Sequence, residues 1–213
     1  MKREIIGLVV VIFILIGFFG FLLHGSGQEV MRLRADADIS IGLLEVEKAK
    51  YVDDVIKAKQ IEKLQYKEFL MNSIVYLNKK VDPALQIMIV DTLIKECVDI
   101  PPLLVICLIH QESNFNPLAE NKLGTVGLMQ IIPKYHQKKI DAMALERYEL
   151  FYINNNIKLG TSILKEYFDS KGNIVDALQK YVGASVRAKA GNYIENIINN
   201  YITLQLKYKG AYR

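Results

Sequence analysis

The amino-acid sequence predicts an all-α protein with a membrane helix at its N-terminus. Residues 5–23 are nineteen consecutive uncharged positions, mostly Ile, Val, Leu and Phe. From 30 to about 80, apolar residues return every three or four positions, with charged residues between them and no proline. Beyond Asp82 no stretch alternates like a strand for long, and turn residues separate further helical runs.

The N-terminal run is long enough for its role. At about 1.5 Å per residue it reaches about 28 Å, close to the roughly 30 Å of a bilayer's hydrocarbon core. Lys2 and Arg3 precede it and favour a cytoplasmic N-terminus. The reading is a single-pass protein of a bacterial cell membrane, with the membrane contacted through residues 5–23 and the remainder periplasmic or extracellular. The rival reading is a cleaved secretion signal, with His24-Gly25-Ser26-Gly27 as cleavage region or linker. The protein would then be secreted, although the run exceeds the usual h-region of about 7–15 residues.

Residues 1–27 are therefore taken as cytoplasmic tip, anchor and short linker, residues 28–81 as a helical stalk or accessory helices, and residues 82–213 as the main domain. In the middle segment Ile39, Leu43, Val46, Val52, Val55, Ile56, Leu64, Phe69, Ile74 and Leu77 carry the periodicity, and Gly42 is the interior glycine. One long helix and two packed helices fit equally, while the spacing is not a clean heptad. Residues 30–80 are a candidate surface for an envelope protein partner. Asn78 to Pro83 reads as a turn, with Asp82 as N-cap and Pro83 at the first helical position. Helices are then expected over 84–98, 103–113, 154–168, 174–181 and 188–206.

Composition narrows the function. With 51% apolar and 23% charged residues the chain is not a disordered polymer. A net charge of +4, evenly spread, is too small a bias for nucleic-acid binding, and suits an acidic polymer or anionic lipid about as well as a plain soluble face. The cysteines Cys97 and Cys107 form no CxxC pair and the three histidines are scattered, so no metal site is expected. Both cysteines lie in apolar runs, which reads as buried free thiols, with a disulfide the other reading if this part is exported.

The run Leu103-Leu104-Val105-Ile106-Cys107-Leu108-Ile109-His110-Gln111-Glu112 delivers a carboxylate to the end of an apolar helix. Desolvation there raises its pKa, and a helix C-terminus disfavours its negative charge. A carboxylic acid still protonated near neutrality is what protonation of a glycosidic oxygen needs. On helix context alone, the favoured reading is that Glu112 merely marks the point where the helix reaches solvent.

Its neighbours add to this. Glu112-Ser113-Asn114-Phe115-Asn116-Pro117-Leu118-Ala119 is followed by Gly124-Thr125-Val126-Gly127-Leu128-Met129-Gln130-Ile131-Ile132-Pro133. Asn156-Ile157 with Gly160 and Leu164, then Ala177-Leu178 with Tyr181, come later in order. Together these resemble the soluble lytic transglycosylase family, whose domain resembles goose-type lysozyme, over roughly residues 82–198. The resemblance implies a lysozyme-like catalytic domain over 82–213 that acts on peptidoglycan glycan strands, with no cofactor and no metal. It implies Glu112 as the acid/base and Tyr181 near it as an orienting group. Gln130 and Met129 would line the cleft, Gln130 binding sugar through its amide or else satisfying backbone, and Ser113 would hold Glu112 or the local chain. Asn116, Pro117, Gly124, Gly127, Asn156 and Gly160 would be architectural. The sequence departs from the family pattern at Val182, where Asn is common, at Thr125, where Ala is usual, and at Asn121, where Ser is frequent.

Most glycosidases use two carboxylates. No second acid lies in the matched motifs, and Asp99 sits about 20 Å along the helix from Glu112 if the helix is regular. A one-carboxylate reaction fits better, and the family implies one: cleavage between N-acetylmuramic acid and N-acetylglucosamine with closure of a 1,6-anhydro ring. Hydrolysis on the same scaffold and a noncatalytic peptidoglycan-binding scaffold are the competing readings.

Overall fold

The computed structural model describes residues 11–19, 27–183 and 191–211. The chain divides into two compact units, Met1–Glu62 and Lys63–Arg213. Every regular element among the described residues is helical. Isolated bridges pair Val126 with Glu120 and with Ile131, and none extends into a strand.

The membrane helix expected over residues 5–23 is not supported. Its described part, residues 11–19, is helical. Residues 5–10 and 20–23 lie outside the described residues. No helix among the described residues is long and apolar enough to cross a membrane. The single-pass placement and the membrane as a partner fall with that helix. In the same unit, Phe13 and Ile16 share a small hollow with Val30, Leu33 and Ala37.

The middle segment resolves into one helix, α1 (Gly27–Leu77). It is ample in length to span a bilayer, but Glu29, Arg32, Arg34, Asp36 and Asp38 already interrupt its first turns. Ile39, Leu43, Val46 and Val52 are exposed along it. Only near its end does it enter a core, where Phe69, Leu70, Ser73 and Ile74 are buried. Their spacing puts them on one helical face.

The Asn78–Pro83 turn forms as expected. Asp82 caps α2 (Pro83–Glu96) by accepting from the Ala84 and Leu85 N–H groups. The helix α3 (Pro102–Ser113) follows, and its seven consecutive residues from Leu103 to Ile109 are all buried. Such a helix is apolar all round because it is surrounded. Each of these side chains contributes roughly 1.5–3 kcal/mol of burial for the larger apolar types. Around it, α5 (Ile153–Lys171) packs on α2 and on α6 (Ile174–Val182), and α7 (Gly191–Ala211) packs on α3. The rings of Phe69 and Tyr208 lie 4.2 Å apart, which fastens the end of α1 to α7. Between α3 and α5 the sequence reading leaves out α4 (Pro133–Ala142) and a 3-10 helix (Arg147–Phe151). The first is largely polar and the second only five residues long, so periodicity does not reveal them. The start of the expected last helix, 188–190, lies outside the described residues.

Candidate active site

The site begins where α3 stops. Asn114 takes a left-handed conformation (φ 51°, ψ 38°), and its N–H closes on the His110 carbonyl at 3.0 Å. Asn tolerates this conformation better than most residues. Phe115 also has positive φ (66°), which is unusual for a bulky residue, and it is buried. Asn116 then turns the chain: its side chain accepts from Leu118 N–H at 3.0 Å and its carbonyl from Ala119 N–H at 3.2 Å. Pro117 sits inside that turn. Ser113 donates to the Ile109 carbonyl at 3.2 Å, a bond within its own helix. The motif after Glu112 is thus a device for ending a buried helix abruptly.

The second motif forms a tight loop. Val126 and Ile131 exchange backbone hydrogen bonds of 2.8 and 3.1 Å, with Gly127 at φ 77° between them. A Cβ on Gly127 would fall 2.7 Å from Asn156 Cγ and 2.9 Å from the Leu150 carbonyl, so only glycine fits. Asn156, fully buried on α5, holds the loop. It accepts from Met129 N–H at 2.8 Å and donates to the Val126 and Leu150 carbonyls at 2.9 and 2.8 Å. Gly160, one turn further, lets Met129 pack flat on α5, since a Cβ would meet the Met129 Cε at 2.9 Å. Gly124 has positive φ (76°) but open space around it.

Gln130 turns inward. Its amide nitrogen donates to the Ala119 and Gly127 carbonyls at 3.0 and 2.9 Å, and its oxygen accepts from the Thr125 hydroxyl. Its polar atoms are engaged within the protein, as the backbone-satisfying alternative has it. Thr125, a departure from the family pattern, supplies one of those bonds. Met129 is buried and outside the cleft wall, whereas Gln130 stays on it.

Glu112 lies in a cleft of about 620 Å³ whose walls also include Ile132, Lys134, Tyr135, His136, Tyr167, Lys180, Tyr181, Val182 and Tyr193. That volume is within the ordinary range of ligand-binding clefts. Glu112 is the one acidic side chain among the described lining residues. Asp99, the alternative acid on the same segment, pairs with Lys165 at 3.1 Å, and the acids that follow the second motif are engaged too: Asp141 accepts from Gln137, and Glu146 caps the 3-10 helix.

Burial pushes the Glu112 carboxyl up from an ordinary 4.5 to about 7, and a polar contact with the Tyr193 hydroxyl works in the opposite direction. The Tyr193 hydroxyl is buried and has no hydrogen bond of regular geometry among the described residues, so Glu112 is its polar neighbour at longer range or poorer angle. Tyr181 is close enough that the Glu112 charge raises its phenol further above the value set by burial. Its hydroxyl, however, donates to the Met129 carbonyl at 2.9 Å. Tyr181 therefore ties the second motif to α6, and the hydroxyl facing Glu112 comes from α7. Sequence reasoning missed Tyr193 because nothing local distinguishes it from the other tyrosines of an amphipathic helix.

Burial lowers the His110 pKa, and its Nδ1 has no hydrogen-bond partner among the described residues. Cys97 and Cys107 are free thiols, both pushed up to about 12 by burial. Among the described residues no cluster of three or more His, Cys, Asp or Glu could hold a metal ion.

A wholly helical lobe whose described cleft lining holds one carboxyl, raised by burial, is consistent with a lysozyme-like lytic-transglycosylase fold. Residues 95–202, just over half of the chain, match the family described as the transglycosylase SLT domain, and the chain belongs to that family. The matched span runs from the end of α2 into α7 and contains Glu112, Gln130, Tyr181 and Tyr193. Lytic-transglycosylase-type cleavage of glycans is thus the general activity of this chain.

Proposed function

We propose that the protein cleaves peptidoglycan between N-acetylmuramic acid and N-acetylglucosamine, with Glu112 as sole acid and base, and leaves a 1,6-anhydromuramic end. The observation that carries the reading is the carboxyl itself: raised to about 7 by burial and alone of its kind on the described cleft wall. Near neutral pH such a group is protonated often enough to act as an acid and is basic enough to take the proton back.

The steps balance without water. Glu112 gives its proton to the glycosidic oxygen as the bond to muramic C1 breaks. The substrate's own N-acetyl oxygen closes on C1 and holds the positive charge. Glu112, now a carboxylate, takes the proton of the C6 hydroxyl, and O6 displaces the N-acetyl oxygen to form the anhydro ring. A second carboxylate has no task in this sequence.

Tyr193 orients the carboxyl and favours its ionised form, which matters in the second half. Tyr181 acts through Met129, holding the loop that frames the cleft. Gln130 keeps that loop closed, while Ser113, Asn116 and Pro117 fix the end of α3 so that Glu112 faces the cleft. Gly124, Gly127, Asn156 and Gly160 shape the loop and its bed.

The test is product analysis on purified sacculi. Wild-type protein releases anhydro-muropeptides, and Glu112→Gln folds but releases none. Release by that variant at the wild-type rate refutes the mechanism. Reducing ends in place of anhydro ends show hydrolysis on the same scaffold, and binding without any release shows a noncatalytic scaffold.

A further inference from the structure

The cleft wall carries two cations that the chemistry above does not use. Lys134 opens α4 directly after the second motif, and Lys180 lies on the last turn of α6. Both side chains line the same cleft as Glu112. Neither makes an ion pair among the described residues, although Lys57, Lys67, Lys139 and Lys165 all do. Each instead stands over an aromatic ring of the wall: Lys180 Nζ is 4.3 Å from the centroid of Tyr167, and Lys134 Nζ is 4.8 Å from that of Tyr135. An aromatic face supports a cation without neutralising it. The cleft thus offers two positive charges and, among the described lining residues, no carboxylate apart from Glu112.

Resting on the reading that the cleft binds peptidoglycan, we infer that Lys134 and Lys180 select strands by the carboxylates on the side arms of muramic acid. A neutral polymer of N-acetylglucosamine has the same backbone and lacks those groups. The carboxylates come from two sources, the lactyl group of a peptide-free strand or the stem peptide that otherwise caps it. Lysine, a point charge on a flexible stem, accepts either.

The experiment measures binding, so it does not depend on turnover. The full-length Glu112→Gln protein is titrated with three probes of equal length: N-acetylglucosamine oligomers, peptide-free muramic-acid strands, and strands carrying stem peptides. Two solvent-facing charge contacts predict roughly fivefold tighter binding of at least one anionic strand than of the neutral oligomer. Whichever strand shows the gain identifies the source. Adding Lys134→Gln and Lys180→Gln brings the ratio to within about twofold of unity, and raising salt from about 0.05 to 0.5 M shrinks it in the parent protein. Equal binding of all three probes, absence of binding, a ratio that survives both substitutions, or one indifferent to salt overturns the inference. The salt arm decides the matter if the multiple variant fails to fold. A protein that prefers anionic strands but whose wild type never cleaves them refutes the proposed reaction and leaves this selection standing.

Discussion

Glu112 costs the protein stability, and the cost has a pH signature. Its carboxyl is raised from 4.5 to about 7 in the folded state, chiefly by burial. The folded state therefore holds a proton that the unfolded state releases between those values. Stability must fall as pH rises through this window, because the native state binds more protons. At about 1.4 kcal/mol per pH unit the full shift is worth about 3 kcal/mol, and since one side of Glu112 opens on cleft water, screening brings this nearer 2 kcal/mol. Glu112→Gln keeps the shape and removes the titration. The variant should match wild type at pH 4, gain through pH 5–7, and stand about 2 kcal/mol above it at pH 8. Urea unfolding at these pH values measures the difference; the chain has no tryptophan, so helical dichroism or tyrosine fluorescence serves as the signal. A gap that is constant with pH, or a variant less stable than wild type at pH 8, refutes the account of Glu112 as a desolvated acid.

The other predictions concern what surrounds it. Because the first step of the proposed reaction needs protonated Glu112, kcat/KM should decline above about pH 7; Tyr193→Phe removes the contact that lowers the Glu112 pKa, so this limb should move to higher pH while kcat drops roughly fivefold. A purely structural tyrosine would leave the limb in place. Asn156→Ala strands one buried N–H and two buried carbonyls, which should cost about 3–5 kcal/mol in urea unfolding. A loss under about 1 kcal/mol would show that Asn156 does not clamp the loop. Gly160→Ala drives a methyl into Met129 and should destabilise by about 1–3 kcal/mol, with a lowered thermal midpoint as the readout.

Much of the architecture is legible in the order of the residues. The buried helix α3 is visible as an unbroken apolar run, and the Asp82–Pro83 cap and the Gly172–Asn173 turn announce helix ends through residues with one job each. The weaker readings share a cause. Residues 5–23 are apolar as a string, but an apolar string is not by itself a membrane span, and no helix among the described residues is long and apolar enough to cross one. The α4 segment is largely polar and the 3-10 segment is only five residues long; a capping box at Glu146 holds the latter, and ion pairs of Lys139 with Glu166 and of Arg147 with Glu120 tie both to neighbours distant in sequence.

The site divides along the same line. Sequence by itself determined that a carboxylate ends an apolar helix, that Asn and Pro follow it closely, and that glycines punctuate the following loop. These are local properties, set by backbone sterics and by the apolar content of one segment. Only the tertiary structure decided how far Glu112 is desolvated, that Tyr193 and not Tyr181 turns its hydroxyl toward it, that Gln130 bonds inward, and that Lys134 and Lys180 face the same cleft. Each of these depends on groups that are far apart along the chain and meet only when α3, α4, α6 and α7 pack. Burial, pKa and charge complementarity are properties of that packing, and no single segment carries them.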